Sequence, residues 1–442
     1  MKLKIAVYVS HPRLENIFFE SNIFTEMKEK YDLTVVRFFN NRKTYLDSNH
    51  EVVEFYIPNL IYKLQKFVLD LETFRARNQN VSFASRIRII TNLSFRYDLN
   101  IFSFLKIKNK YGVLLSILGS KFLYFIFGPI LRFTSDVLPF IFFPNFFFKK
   151  FDLAITFSGG NFSGMENSVG RFLRYRNITN ILLIDNWDNL SSKSKLWIRP
   201  KRILVWGKNM KNDAIQIQNF KEEEILITGS YRIDKLPESF SKNSKMIVYF
   251  VGSGLQHSYE VEILMNLSLY LDKFGDTGVK IVYRPHPYTL RDHKMDYLRV
   301  QISNFKNIEI DQDILTKIND VFYTEDSMRK LETSIIDAAL VVGLHSTVIV
   351  EALYFGKKVV AYSTAEHGIF MGQNLWDMYT HLHQIRSFNN LYETRSRADF
   401  FEKILINIEK RGTDPVDFSA IAFRDEDFSK LLISLVDELM SN

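Results

Sequence analysis

Val341-Val-Gly-Leu-His-Ser-Thr-Val-Ile-Val-Glu-Ala-Leu-Tyr-Phe-Gly-Lys-Lys-Val-Val360 reads as one complete strand–turn–helix–strand unit. An apolar strand runs into a Gly turn, Ser346 and Thr347 open a helix, Glu351 lies inside it, and Gly356 ends it before the next strand. Hydroxyls beside the unpaired N–H groups and positive dipole end of a helix make a ready phosphate site. Glu351, five residues after Ser346, is placed to accept hydrogen bonds from ribose hydroxyls. The bland alternative is a capping Ser346 and an exposed helical Glu351.

Working outward, the same pattern recurs on both sides. Upstream, Val279–Tyr283 is a strand running into Arg284-Pro-His-Pro287, about sixty residues before the Ser-Thr helix. Carboxyl ends of strands are where open α/β sheets bind ligands. The prolines stiffen the turn, and Arg284 and His286 offer donors for a departing phosphate; a rigid turn is the competing explanation. Met246–Val251 is the first strand of this series and closes on Gly252-Ser253-Gly254, where glycine would let a ligand approach the backbone. The stretch is neither a dinucleotide fingerprint nor a Walker loop, which removes the main support for a kinase or ATPase. A helix around Tyr259–Phe274 and strands at Ile308–Ile310, Leu340–Val342 and Lys358–Tyr362 complete the series. Asp311-Gln-Asp313 has the form of a metal-binding pair but lacks the context, and reads as solvated carboxylates.

The first half shows a second series. Strands are expected at Lys4–Ser10, Leu33–Phe38, Leu153–Phe157, Asn180–Asp185, Arg202–Trp206 and Glu224–Gly229, with a helix at Asn16–Lys30. Residues 40–150 read as mostly helical. Strands alternating with helices imply parallel sheets covered on both faces. The polar run Pro237–Lys245 is the candidate linker. The expected fold is therefore α/β: residues 1–236 an acceptor-side Rossmann-like domain, 246–395 a nucleotide-sugar-binding one facing it across a cleft, and 396–442 terminal helices.

In the first domain Ile184-Asp-Asn-Trp-Asp-Asn-Leu-Ser-Ser-Lys193 stands out at a strand's carboxyl end. Asp188 or Asp185 could take a proton from an acceptor hydroxyl, and Trp187 could stack on a sugar ring; an Asx-rich turn is the competing reading. Ser158-Gly-Gly-Asn161, at the preceding strand end, adds Asn161 to the same lining.

Composition narrows the class. The chain has 442 residues and no Cys, which excludes disulfides, thiolate metal sites and cysteine nucleophiles. Met1–Ser10 reads as a buried first strand, not a signal peptide. A formal charge of +7 favours an anionic partner. Nucleic acid ranks low, for want of any zinc-finger, helix-turn-helix or RNP-type motif. Forty Phe and 21 Tyr predict aromatic cores. Within residues 111–150, the runs Phe122–Leu131 and Val137–Phe148 both fall short of the about 18–20 apolar residues a spanning helix needs. They read either as buried helices or as a basic, aromatic edge resting on a bilayer.

Arg-Pro-His-Pro, then Gly-x-His-Ser-Thr with Glu-Ala and Gly-Lys-Lys-Val-Val, resembles the nucleotide-binding domain of GT-B glycosyltransferases. Within that fold it looks most like the capsule Kdo transferases, polysialyltransferases and CDP-glycerol glycerophosphotransferases of bacteria. The Asp-Asn-Trp-Asp-Asn-Leu-Ser-Ser-Lys stretch is similar to one in surface carbohydrate biosynthesis proteins. The resemblance covers mainly residues 150–365. It implies phosphate binding by His286, Ser346 and Thr347, Asp188 as base, and metal independence. It also implies a nucleotide-sugar donor, CMP- or UDP-linked, as substrate with no separate cofactor. The acceptor would be a glycan or lipid-linked glycan, met in the cytoplasm at the inner face of the cell membrane. A UDP-sugar 2-epimerase of the same fold and a non-catalytic scaffold of a polysaccharide assembly complex are the alternatives.

Overall fold

The computed structural model describes residues 2–10, 14, 18, 22–38, 51–55, 58–84, 86–87, 110–141, 150–158, 165–197, 199–231, 245–252, 257–273, 278–286, 299–315, 325–344, 347–362, 375–409, 418, 420–422 and 427–441. The chain divides into two compact units. Unit 1 comprises Met1–Asp234, Tyr379–His381 and Ser419–Asn442; unit 2 comprises Lys235–Met378 and Leu382–Phe418. The run 396–442 is thus split between the units.

Unit 1 holds β1 (Lys4–Val9), β2 (Asp32–Arg37), β3 (Glu51–Glu54), β4 (Leu153–Ser158), β5 (Thr179–Ile184), β6 (Arg202–Val205) and β7 (Ile225–Ile227). They form a seven-stranded sheet in the order β3-β2-β1-β4-β5-β6-β7, every neighbour parallel. Five consecutive residues of β1, Ile5 to Val9, are buried. Such a run belongs to a strand covered on both faces, which explains why it reads as unbroken apolar sequence. The cover comes from α1 (Asn22–Lys30), α2 (Asn59–Ala76), α4 (Lys121–Ile141), α5 (Met165–Tyr175) and α6 (Lys208–Gln216), while α3 (Lys110–Leu118) packs on α2 and α4. The core is aromatic, as the composition predicts: Tyr8 stacks on Phe38, Phe38 on Phe55 and Phe140 on Phe172, with ring centroids 5.9, 5.2 and 4.9 Å apart.

Unit 2 holds β8 (Lys245–Val251), β9 (Lys280–Arg284), β10 (Ile308–Ile310), β11 (Ala338–Leu344), β12 (Val359–Tyr362) and β13 (Leu391–Thr394). They form a six-stranded sheet in the order β10-β9-β8-β11-β12-β13, again parallel throughout. Its helices include α7 (His257–Asp272), α8 (Glu325–Asp337), α9 (Thr347–Tyr354) and α10 (Arg397–Glu409). Leu264 and Leu267 of α7 and Phe400 and Ile404 of α10 share a buried core with Phe250, Ile281, Leu340 and Val342 of the sheet. The last helix, α11 (Phe428–Ser441), packs on α1 in unit 1, where the Tyr31 hydroxyl donates to Asp437 Oδ1 at 2.8 Å.

The strands differ from the sequence reading at the sheet margins. β3 and β13 were not expected, and each is an edge strand of its sheet. Both are four residues long, β3 with exposed ends and β13 with a half-buried middle, and neither carries the apolar run that betrays a central strand. β3 also interrupts the stretch 40–150 read as mostly helical. The two runs at Phe122–Leu131 and Val137–Phe148 were read as separate. In the structure α4 continues through Pro129 and Pro139 and joins them up to Ile141. Residues 237–244 of the expected linker lie outside the described residues, and Lys245 already belongs to β8.

Candidate functional site

A sheet whose first strand lies centrally reverses its strand order at one point, and ligands bind beyond the strand ends there. In unit 2 that point falls between β8 and β11. Arg284 of β9, Val251 of β8 and Gly343 of β11 lie side by side in register. At about 4.8 Å per strand, the ends of β9 and β11 are about 10 Å apart. Gly252 follows β8 directly, and His286 and Thr347 come within three residues of the ends of β9 and β11. His286 and the start of α9 therefore occupy the same sheet edge. Thr347 is the first residue of that helix, and Glu351 lies just over one turn later, half-buried. Ser346, Ser253 and Gly254 lie outside the described residues.

Two glycines are required by the protein's own packing. A Cβ on Gly343 would sit 2.3 Å from the carbonyl oxygen of Val251, so β8 and β11 can pair closely only with glycine there. A Cβ on Gly252 would meet Glu260 Oε2 at 2.7 Å and the His286 backbone nitrogen at 3.1 Å. Gly252 was expected to make room for a ligand; in the structure it makes room for Glu260 and the His286 turn. Glu260 is fully buried and accepts a hydrogen bond from the Tyr283 hydroxyl at 3.0 Å. Burial, then the Glu260 charge, pushes the Tyr283 phenol well above its usual range.

Arg284 corrects a second expectation. Its guanidinium is buried and pairs with Asp311 at 2.7 Å and Asp313 at 3.4 Å, while Tyr249 donates its hydroxyl to Asp311 at 2.6 Å. The cation read as a phosphate donor is neutralised inside the unit, and the two carboxylates read as solvated are its partners. Burial of a charge needs such pairing, and only the fold brings the three together. Lys357, in the Gly-Lys-Lys run, is also structural: it donates to the carbonyls of Ile336 and Ala338, at the end of α8 and the start of β11.

In unit 1 the reversal falls between β1 and β4. Ser10, just past β1, donates to Glu166 Oε1 at 3.0 Å. Glu166 stands in the first turn of α5, where the helix dipole favours a carboxylate. Ser158 ends β4, and its carbonyl accepts from the Asn189 amide. Asn161 lies outside the described residues.

The Asp-Asn-Trp-Asp-Asn segment is a buried structure and not an open loop. Asn189–Lys193 forms one π-helical turn, a rare geometry that recurs at functional sites. Its backbone carbonyls are held by distant amides: Gln218 donates to Leu190 O at 2.6 Å and Asn80 to Ser191 O at 3.2 Å. Asp188 is buried; its Oδ2 accepts from Ser192 Oγ at 2.9 Å and pairs with Lys193 Nζ at 2.9 Å. Asp185, fully buried, accepts from the Tyr231 hydroxyl at 2.9 Å. Asn189 Oδ1 has no hydrogen-bond partner among the described residues. Trp187, expected to stack on a sugar, is instead buried with its ring 4.6 Å from that of His381, edge to face.

Sequence reasoning missed two residues of this cluster, His381 and Tyr379, and Glu166 at the end of β1. His381 is fully buried, with Nδ1 3.5 Å from Ser191 Oγ. Burial pushes the Tyr379 phenol up to about 12; the Arg86 cation lowers it and the Asp188 carboxylate raises it, so both charges lie within its reach. Glu166 had a local signal, an acid opening the helix after the Ser-Gly-Gly-Asn strand end. His381 and Tyr379 had none, since about 190 residues separate them from Asp188.

No protein-family model matches the sequence, and neither does any curated protein. Solved structures do match over the whole chain. The UDP co-structure of S. aureus MnaA covers 100% of this chain and 97% of its own at 10% identity, with a TM-score of 0.53. UDP-GlcNAc 2-epimerase from Methanocaldococcus jannaschii covers 99% and 100% at 10% identity, with a TM-score of 0.51. The Neisseria meningitidis UDP-GlcNAc 2-epimerase bound to UDP-GlcNAc covers 99% and 100% at 12% identity, with a TM-score of 0.50. The chain has the α/β fold of the GT-B kind, built on two Rossmann-like units.

Proposed function

We propose that this chain is a nucleotide-sugar-dependent glycosyltransferase that extends a bacterial surface glycan, capsule or lipopolysaccharide, in the cytoplasm. The observation that carries the reading is the edge of unit 2, where the His286 turn and the N-terminus of α9 flank Gly252 at the point of strand reversal. N–H groups at a helix start and a nearby imidazole would stabilise the negative charge that develops on a departing nucleotide. Glu351 would receive the ribose. Arg284 is assigned to holding that edge together through Asp311, not to the phosphate.

The acceptor half of the chemistry is assigned to unit 1. Displacement at the anomeric carbon needs a group to take the acceptor hydroxyl proton, and Asp188, held by Ser192 and Lys193, is the assigned base. Asp185 and Asn161 are assigned to the acceptor's side. The donor would be CMP- or UDP-linked. Charge on the leaving group would be met by His286 and α9, so turnover is expected to survive chelation of divalent cations.

The second reading, a UDP-sugar 2-epimerase, is favoured by the solved structures of that activity with the same fold. Two measurements separate the possibilities. Thermal shift against CMP, CDP, UDP, GDP and dTDP should single out one base, because a ligand bound only by the folded state stabilises it by about 2.7 kcal/mol at a hundredfold excess over Kd. No response to any nucleotide would defeat both enzymatic readings and favour the scaffold. Epimerisation of free UDP-GlcNAc without an acceptor would defeat the transferase alone.

A further inference from the structure

The helix α4 carries a feature that catalysis does not use. Phe122, Phe125, Ile126, Ile130 and Phe133 recur at helical spacing, and all are exposed, Phe122 by 74% and Phe125 by 82%. Val113 and Ile117 of the neighbouring α3 add to the exposed apolar surface. A contiguous stripe of rings in water is unusual for a soluble surface and marks an interaction site.

The opposite face of α4 fixes which side turns outward. Tyr124 packs with Leu71, Phe74, Ile87 and Leu115 and donates its hydroxyl to Glu72. Arg132 pairs with Glu72 at 3.1 Å. Asp136 is buried and accepts from Arg171 Nε at 2.7 Å and the Trp197 indole at 3.1 Å. Burial raises the Asp136 carboxyl, and the bonds from Arg171 and Trp197 oppose that. These polar anchors lie along the middle and end of α4. Crossing a bilayer would strip Arg132 and Asp136 of partners and place both in hydrocarbon. The helix has the length to span, 21 residues, but its anchors hold it against unit 1.

We infer that α4 is an interfacial helix that seats unit 1 on an anionic lipid bilayer, its Phe stripe in the acyl boundary. Charge selects this occupant. Asp136 is the one acidic residue between Lys110 and Lys150, and it is buried and paired. Exposed Lys121 opens the helix, Lys149 and Lys150 follow it in sequence, and the whole chain carries +7. An apolar stripe within a basic segment is the pattern that binds anionic membrane surfaces. The inference rests on this surface alone and stands whether or not the transferase reading does.

The test is flotation of the full chain with phosphatidylcholine vesicles, with and without phosphatidylglycerol. Binding is expected to the anionic vesicles and to weaken with salt. The triple substitution Phe122→Ser, Phe125→Ser, Phe133→Ser should reduce it by about tenfold or more, with an unchanged melting temperature, since all three rings are exposed. In a separate variant, Phe125→Trp should shift its emission to the blue on vesicle addition. Equal binding by wild type and triple variant, or no Trp shift, would overturn the inference. So would a dimer in sedimentation without lipid that the triple variant abolishes, because the stripe would then cover a second copy of the chain.

Discussion

The two sheets share one topology yet treat charge at their reversal points in opposite ways. In unit 2 the charges near the edge are locked underneath it: Arg284 with Asp311 and Asp313, and Glu260 with Tyr283. Among the described residues, what remains at these strand ends is backbone, a helix N-terminus and His286. In unit 1 the edge carries side chains: Glu166 with Ser10 past β1, and Asp188, Asn189 and His381 around a π-turn. The contrast teaches a division of labour. An edge of N–H groups suits a ligand whose charge is fixed, such as a phosphate. An edge of carboxylates and an imidazole suits proton transfer.

This contrast can be broken by experiment. Asp188→Asn should lower turnover by about 10²–10⁴-fold while leaving nucleotide-induced stabilisation intact. Glu166→Gln, measured alongside, should cost far less. The reverse ranking would move the base to α5. Arg284→Ala should destabilise unit 2 by about 3–5 kcal/mol in urea unfolding, because two buried carboxylates lose their cation. An Arg284→Ala variant of normal stability that fails to bind nucleotide would return Arg284 to the phosphate.

Gly252→Ala should cost about 1–3 kcal/mol, as its methyl group presses on Glu260 and the His286 turn. Nucleotide stabilisation should fall with it, since the turn that holds His286 must shift. The smallest effect concerns pH. Burial holds the Lys195 amine down at about 8, with the Arg199 charge adding to the depression. Between about pH 8 and the free-lysine value of about 10.4, the unfolded chain binds more protons than the folded one, so stability should rise with pH there. Below about pH 8 both states are protonated and Lys195 contributes no slope. Lys195→Met should flatten the rise, which urea titrations at several pH values would show.

Much of the architecture was legible in the sequence. Central strands such as β1, β4, β8 and β11 are buried along most of their length, so their apolar runs stand out against any background. β3 and β13 escaped because these two edge strands, Glu51–Glu54 and Leu391–Thr394, carry no such run. The candidate site was legible in part. The segment 185–193 and the His286 turn were found because polar residues at strand ends are visible in one dimension. Their environments were not: Trp187 was read as open, and Asp311 and Asp313 as solvated.

The reason lies in what each property depends on. Whether a segment becomes a buried parallel strand is settled by its own few residues, so the linear chain determined two doubly covered sheets and the order of their strand ends. Whether a charge at those ends is free or paired depends on residues far away in sequence. Asp313 lies 29 positions from Arg284, and His381 is 190 from Ser191. Likewise, an aromatic run could be core or surface. Only the grip of Glu72, Arg171 and Trp197 on one side of α4 decided that its phenylalanines face out.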